Sequence, residues 1–145
     1  MTQQQKILLV DDDLAVLQSL ARVLIAENYV PLLAKNGKDA LQMVASKPVD
    51  LVVLDLTMPI KDGWETFQAL ARDYPLLPII IMTARPNQLF PALAAGVGAL
   101  MEKPLDLPKL LQAISELLNE PAEARLARVA GKLSPFSYVP ANPAD

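Results

Sequence analysis

Short aliphatic runs along the chain alternate with stretches in which apolar residues recur every third or fourth position. Ile7-Leu8-Leu9-Val10 is continuous and ends in acids, as expected of a strand covered on both faces. From Leu14 the period changes: Leu14, Leu17, Leu20/Ala21 and Leu24/Ile25 predict one apolar helical stripe, with Asn28 near its end. Tyr29 to Leu33 reads as a second strand, and Pro31 assigns it to an edge, where a missing donor is tolerated. Asn36-Gly37 predicts a turn, and Ala40, Leu41 and Val44 a short helix. Leu51 to Leu54 is a third, fully buried strand after Pro48.

Asp62-Gly63 breaks the chain before a helix that turns Trp64, Phe67 and Leu70/Ala71 inward. Ile79 to Met82 is the fourth strand and Ala99 to Glu102 the fifth, with a small helix around Ala92–Ala95 stopped by Gly96 between them. Asp106 is placed to cap a last helix with Pro108 in its first turn and Leu110, Leu111, Ile114, Leu117 and Leu118 on one face. Strand and helix thus alternate with short joints. That order predicts an α/β fold, a doubly wound five-stranded parallel sheet of order 2-1-3-4-5 with helices on both faces. Ligands of such sheets bind beyond the carboxyl ends of the strands, where strands 1 and 3 diverge.

Composition narrows the chemistry. The 145 residues are 52% apolar and 20% charged, which suits one globular domain and argues against disorder. Cysteine and histidine are both absent, so disulfides, thiolate metal sites and imidazole chemistry are excluded. Any metal must therefore be held by oxygen, which favours a hard cation such as Mg²⁺. A net charge of −3 without a basic cluster predicts no direct nucleic-acid binding. The apolar run after the polar Met1–Lys6 is too short for a signal peptide or a membrane span, which makes the cytoplasm the expected location.

The residues that follow the strands carry the chemistry. Asp11-Asp12-Asp13 follow the first strand, Asp55 the third, Thr83 the fourth and Lys103-Pro104 the fifth. Carboxylates gathered at one sheet edge repel unless a cation neutralises them, and a divalent ion does so. Asp55, on a rigid strand end, is placed to act as a carboxylate nucleophile on a phosphoryl group. That group spreads negative charge over its oxygens, so catalysis reduces to positioning and counter-charge. Mg²⁺ would supply one counter-charge, the Lys103 ammonium another, and the Thr83 hydroxyl a hydrogen bond. The plainer readings are a helix cap for Asp13, a backbone-bonded turn hydroxyl for Thr83 and a core ring for Trp64.

The segments Ile7 to Asp13, Leu51 to Pro59 with Asp62-Gly63, Ile80 to Ala84 and Lys103-Pro104 resemble the receiver domains of two-component response regulators, in order and spacing over about residues 5–119. The resemblance implies a flavodoxin-like, CheY-like fold and phosphorylation of Asp55 by a sensor histidine kinase or phosphotransfer protein. It further implies Mg²⁺ held by Asp11, Asp12, Asp55 and the backbone carbonyl of Thr57, with Thr83 and Lys103 reading the phosphate. Lys103-Pro104 would be a cis peptide. Such a domain catalyses only its own phosphorylation and dephosphorylation, and signals to a downstream protein target. A homodimer would form through the small helix near residue 92, the fifth strand and the following helix, or through the C-terminal tail.

The chain departs from the family at Leu100, where a Tyr or Phe is usual, and in the prolines 86 and 91, which delay regular helix until near Phe90. These departures leave open an unphosphorylated pseudo-receiver acting as an interaction module. An aspartyl-phosphate phosphatase would need a second Asp where Thr57 stands, and a flavin carrier would not tolerate the acids after the first strand. Residues 1–119 are expected to form the receiver. Residues 120–145 form an extension too short for a DNA-binding or enzymatic output domain, helical over about 122–131 and then irregular and proline-rich. Within that tail, Phe136, Tyr138 and Val139 are the residues expected to dock on the domain or on a neighbour.

Overall fold

The computed structural model describes residues 4–56, 63–84, 97–129 and 137–141. The expected small helix at 92–95, its flanking prolines, Thr57 and Phe136 lie outside these residues. Along the chain run β1 (Lys6–Val10), α1 (Leu14–Ala26), β2 (Val30–Ala34), α2 (Gly37–Ser46), β3 (Leu51–Asp55), α3 (Gly63–Asp73), β4 (Ile79–Thr83) and β5 (Ala99–Glu102). They are followed by α4 (Leu107–Leu118), α5 (Ala122–Val129) and β6 (Ser137–Val139). The sheet order is β2-β1-β3-β4-β5-β6, with every neighbouring pair parallel. The doubly wound order 2-1-3-4-5 holds, and β2 with its proline is an edge strand as predicted.

The central strands β1, β3 and β4 are sandwiched because both of their faces are apolar. On one side Leu17, Leu20 and Leu24 of α1 and Leu110, Ala113, Ile114 and Leu117 of α4 cover Ile7, Leu9, Val53, Ile80 and Met101. On the other, Ala40 of α2 and Phe67 and Leu70 of α3 cover Leu8, Val10, Val52, Leu54 and Ile81. Trp64 packs against this second cluster, its ring edge-on to Phe67 at 5.7 Å, so it is a core ring. The α1 stripe is narrower than its sequence implies. Leu14 and Ile25 are exposed, because Leu14 stands in the first turn and Ile25 one step of about 100° from Leu24.

Polar residues set the element boundaries. The Asp13 carboxylate accepts from the Ala15 and Val16 amides and caps α1, and Asp106 accepts from the Lys109 amide and caps α4. Asn28, at φ 68°, leaves α1 through the left-handed region that asparagine tolerates. Asn36 does not form a turn with Gly37; its side-chain oxygen accepts from the Asp39 amide and caps α2. Gly63 opens α3 where a Cβ would stand 2.6 Å from the Asp55 carbonyl oxygen, so only glycine lets the helix approach the end of β3.

The tail differs from expectation. Residues 137–139 are not irregular but add a sixth parallel strand beside β5, pairing Ser137 with Ala99, Tyr138 with Leu100 and Val139 with Met101. Val139 is buried in the α1–α4 cluster. Three residues between prolines carry no strand pattern of their own; the open edge of β5 supplies it. The preceding helix α5 is tied down by Arg125, which donates to the carbonyls of Leu76 and Leu117 at 2.9 Å each.

Candidate functional site

The carboxyl ends of β1, β3, β4 and β5 lie side by side, and each delivers one polar residue to the same edge. Register places Val10 beside Leu54, Asp55 beside Met82 and Thr83 beside Glu102. Asp11, Asp55 and Thr83 are all buried, an unusual environment for two carboxylates. One carboxylate oxygen from each of Asp11, Asp12 and Asp55 lies within 4.8 Å of the others. Asp12 stands at the exposed rim of this trio.

Lys103 reaches into the cluster from the end of β5. Its ammonium is 2.9 Å from Asp11 Oδ2 and 3.5 Å from Asp55 Oδ2. The expected convergence of Asp11, Asp55 and Lys103 is therefore present, with Asp11 the nearer partner. Asp11's other oxygen accepts from the Asp13 amide at 2.9 Å, so both of its oxygens are held. The Lys103 amide donates to the Thr83 carbonyl at 2.8 Å, which ties the two strand ends together. The Lys103–Pro104 bond is cis.

The electrostatics follow from this packing. Burial alone would lower the Lys103 pKa, but the hydrogen bond to Asp11 and the charges of Asp55 and Asp11 outweigh it and hold the ammonium above its ordinary range. Asp12 is pushed up, first by partial loss of water around its carboxyl and then by the neighbouring Asp11 charge. Lys103 is one cation against several acids. The remaining negative charge, presented by oxygens close enough to share an ion, fits a single hard divalent cation such as Mg²⁺. Thr57, expected to add a carbonyl ligand, lies outside the described residues.

Leu100 is fully buried two residues before the strand end, and the register partner beside it is Tyr138 from the tail. The structure gives specific partners to three residues near the site. Gly63 is needed for close approach to Asp55, a requirement that only the packing of α3 creates. Glu102 and Tyr138 meet at the strand end, where the neighbouring Glu102 carboxylate holds the Tyr138 hydroxyl above its ordinary pKa. Docking of Tyr138 is expected from the sequence; Glu102 as its partner is not, its sole local signal being an acid directly before Lys103.

A sheet of this order whose carboxyl edge gathers acids and an ammonium matches a known class. The chain belongs to the response regulator receiver domain family, which it matches over residues 7–115. It is 41% identical over 116 residues to response regulator MprA of Mycolicibacterium vanbaalenii, an alignment spanning 79% of this chain and 50% of that protein. The chain thus corresponds to about half the length of that curated relative. Its fold superposes on a CheY-like receiver domain protein from Methanospirillum hungatei with a TM-score of 0.78 at 28% identity, covering 83% of this chain and 98% of the other. It also matches response regulator TrrA from Thermotoga maritima, solved in complex with Mg²⁺–BeF, with a TM-score of 0.73 at 27% identity, covering 79% and 99%. Among the described residues no helix is long and apolar enough to cross a membrane.

Proposed function

We propose that this chain is a phosphorylation switch in which Asp55 accepts a phosphoryl group from a histidine kinase or phosphotransfer protein. One observation carries the reading: the Lys103 ammonium lies 2.9 Å from Asp11 and 3.5 Å from Asp55, beside three carboxylates close enough to share a cation. An Asp55 oxygen attacks the phosphorus of a phosphohistidine; the O–P bond forms, the N–P bond breaks, and the imidazole leaves and takes up a proton. Lys103 neutralises charge on the phosphoryl oxygens as they approach, and Thr83 donates a hydrogen bond to one of them. Mg²⁺, held by Asp11, Asp12, Asp55 and the Thr57 carbonyl, supplies the remaining counter-charge when bound. Hydrolysis by water returns the carboxylate and releases inorganic phosphate.

In this reading the chain turns over no metabolite and acts in the cytoplasm on a downstream protein target, without touching nucleic acid. Residues 1–119 are the receiver and 120–145 an extension of it. The likeness to a response regulator solved with Mg²⁺–BeF supports the ion requirement. An apolar groove of about 330 Å³, lined by Val16, Leu20, Pro104 and Leu107 beside Lys103, offers a phosphodonor protein a surface next to the site. A homodimer through the β5 face would have to include or displace β6. The pseudo-receiver alternative draws on Leu100 and on prolines 86 and 91; the meeting of Asp11, Asp55 and Lys103 weighs against it.

The test is direct. The full chain is incubated with Mg²⁺ and a small phosphodonor and weighed intact, with Asp55→Asn as control. One phosphate on the wild type and none on the variant is the expected result. No adduct, or an adduct that survives the substitution, overturns the reading.

A further inference from the structure

The fifth strand would be the edge of the sheet if the chain stopped after α4. Instead β6 lies along it, and its contacts converge on one side chain. The Glu102 carboxylate accepts from the Ala141 amide at 3.3 Å, and it stands near enough to the Tyr138 hydroxyl to push that group's pKa up, so two groups of the tail address one acid of the receiver. Glu102 is the last residue of β5, directly before Lys103. It is also the register partner of Thr83, whose carbonyl accepts the Lys103 amide. Partners in a parallel ladder point to the same face, so Glu102 and Thr83 stand side by side. A continuous set of bonds therefore runs from the tail, through Glu102 and the end of β5, to Thr83, Lys103 and the acids Lys103 bridges.

We propose that Glu102 is a positioning residue for the phosphoryl-accepting site, and that the C-terminal strand anchors it. The inference rests on the phosphorylation reading and adds to it a role for the tail. A short edge strand frays, and fraying at residue 102 is inherited by the backbone that carries Lys103. Docked β6 suppresses that motion by pairing along β5 and by fixing the Glu102 side chain. It follows that β6 favours phosphoryl transfer to Asp55. By linkage, a filled site strengthens the docking of β6 in return.

The experiment uses the full chain and three variants, Tyr138→Phe, Glu102→Ala and their combination. Tyr138→Phe removes one hydroxyl and keeps the ring; Glu102→Met, of similar length but without the carboxylate, serves in place of Glu102→Ala should the alanine variant fail to fold. Phosphate uptake from a small donor with Mg²⁺ is expected to slow by about fivefold in each single variant, a modest coupling between sites. The combined variant should be no slower than the slower single one, because both changes cut the same connection. In the wild type, Mg²⁺ with beryllium fluoride should slow amide exchange in residues 99–102 and 137–141, and this response should vanish in Tyr138→Phe. Purely structural damage would instead lower the melting temperature, add up in the combined variant, and leave that response intact. Uptake within twofold of wild type in both single variants, or effects that simply add, overturns the inference while the functional reading stands. A wild type that takes up no phosphate overturns both.

Discussion

Leu54 and Asp55 are neighbours on one strand, both buried, and they belong to regions built on opposite principles. Leu54 lies in the sheet interior, where a dozen aliphatic side chains share the packing and no single one is chemically special. Asp55 lies at the carboxyl edge, where a few charged groups meet and burial of charge works against stability. On these grounds the interior is expected to tolerate change in kind and to punish lost volume, and the edge to depend on charge and geometry. The fold is thus redundantly determined, while the site hangs on a few positions that the fold merely carries. The two regions should separate cleanly in experiment.

The largest separation is expected at Lys103. In Lys103→Met, phosphate uptake at Asp55 should fall by about 10²-fold or more, as when one charge-stabilising donor is removed from an active site. Two buried carboxylates then lose their ammonium, so Mg²⁺ should raise the variant's melting temperature by more than it raises the wild type's. Equal Mg²⁺ shifts would show that Lys103 does not share the cluster's charge with the ion.

Leu54→Ala should do the reverse. Loss of about 2–5 kcal/mol of stability in denaturant unfolding is expected from the cavity, while the folded fraction still labels at Asp55. A folded variant that no longer takes up phosphate would break the division between interior and edge.

A pH titration of the metal-free protein probes the edge alone. The folded pKa of Lys103 is raised above 10.5, so its ion pair contributes full stability below that pH and loses it as pH rises through the higher folded value. The melting temperature should therefore drop from about pH 10.5 upward more steeply in wild type than in Lys103→Met. Parallel curves would count against the ion pair. The smallest effect belongs to an aspartate of the same run that only caps a helix. Asp13→Ala should cost about 1 kcal/mol and leave the rate of phosphate uptake near wild type. A large loss of rate would place Asp13 in the site after all.

These contrasts explain what was legible beforehand. The aliphatic runs and three-four spacings locate every described element of the receiver to within a residue or two at most boundaries, because burial on two faces or on one stripe leaves a local pattern. Strand order and the meeting of Asp11, Asp55 and Lys103 could be inferred, since parallel crossovers leave few topologies and each residue directly follows a strand. Periodicity alone makes the helix stripe too wide at Leu14 and Ile25, because it says which residues share a face but not how far the sheet reaches beneath it.

The sequence by itself determined the alternation of strands and helices, the order of the first five strands and the identity of the acids at their edge. Those are consequences of hydrophobic period and of which residue comes next in the chain. Only the tertiary structure decided that Asp11 is the nearer partner of Lys103, that Gly63 is demanded by the backbone of β3, and that Ser137–Val139 are a strand. Each of these depends on what lies across a gap in space from a residue distant in the chain. A three-residue strand between prolines has no period to read; it exists because β5 offers it an unpaired edge.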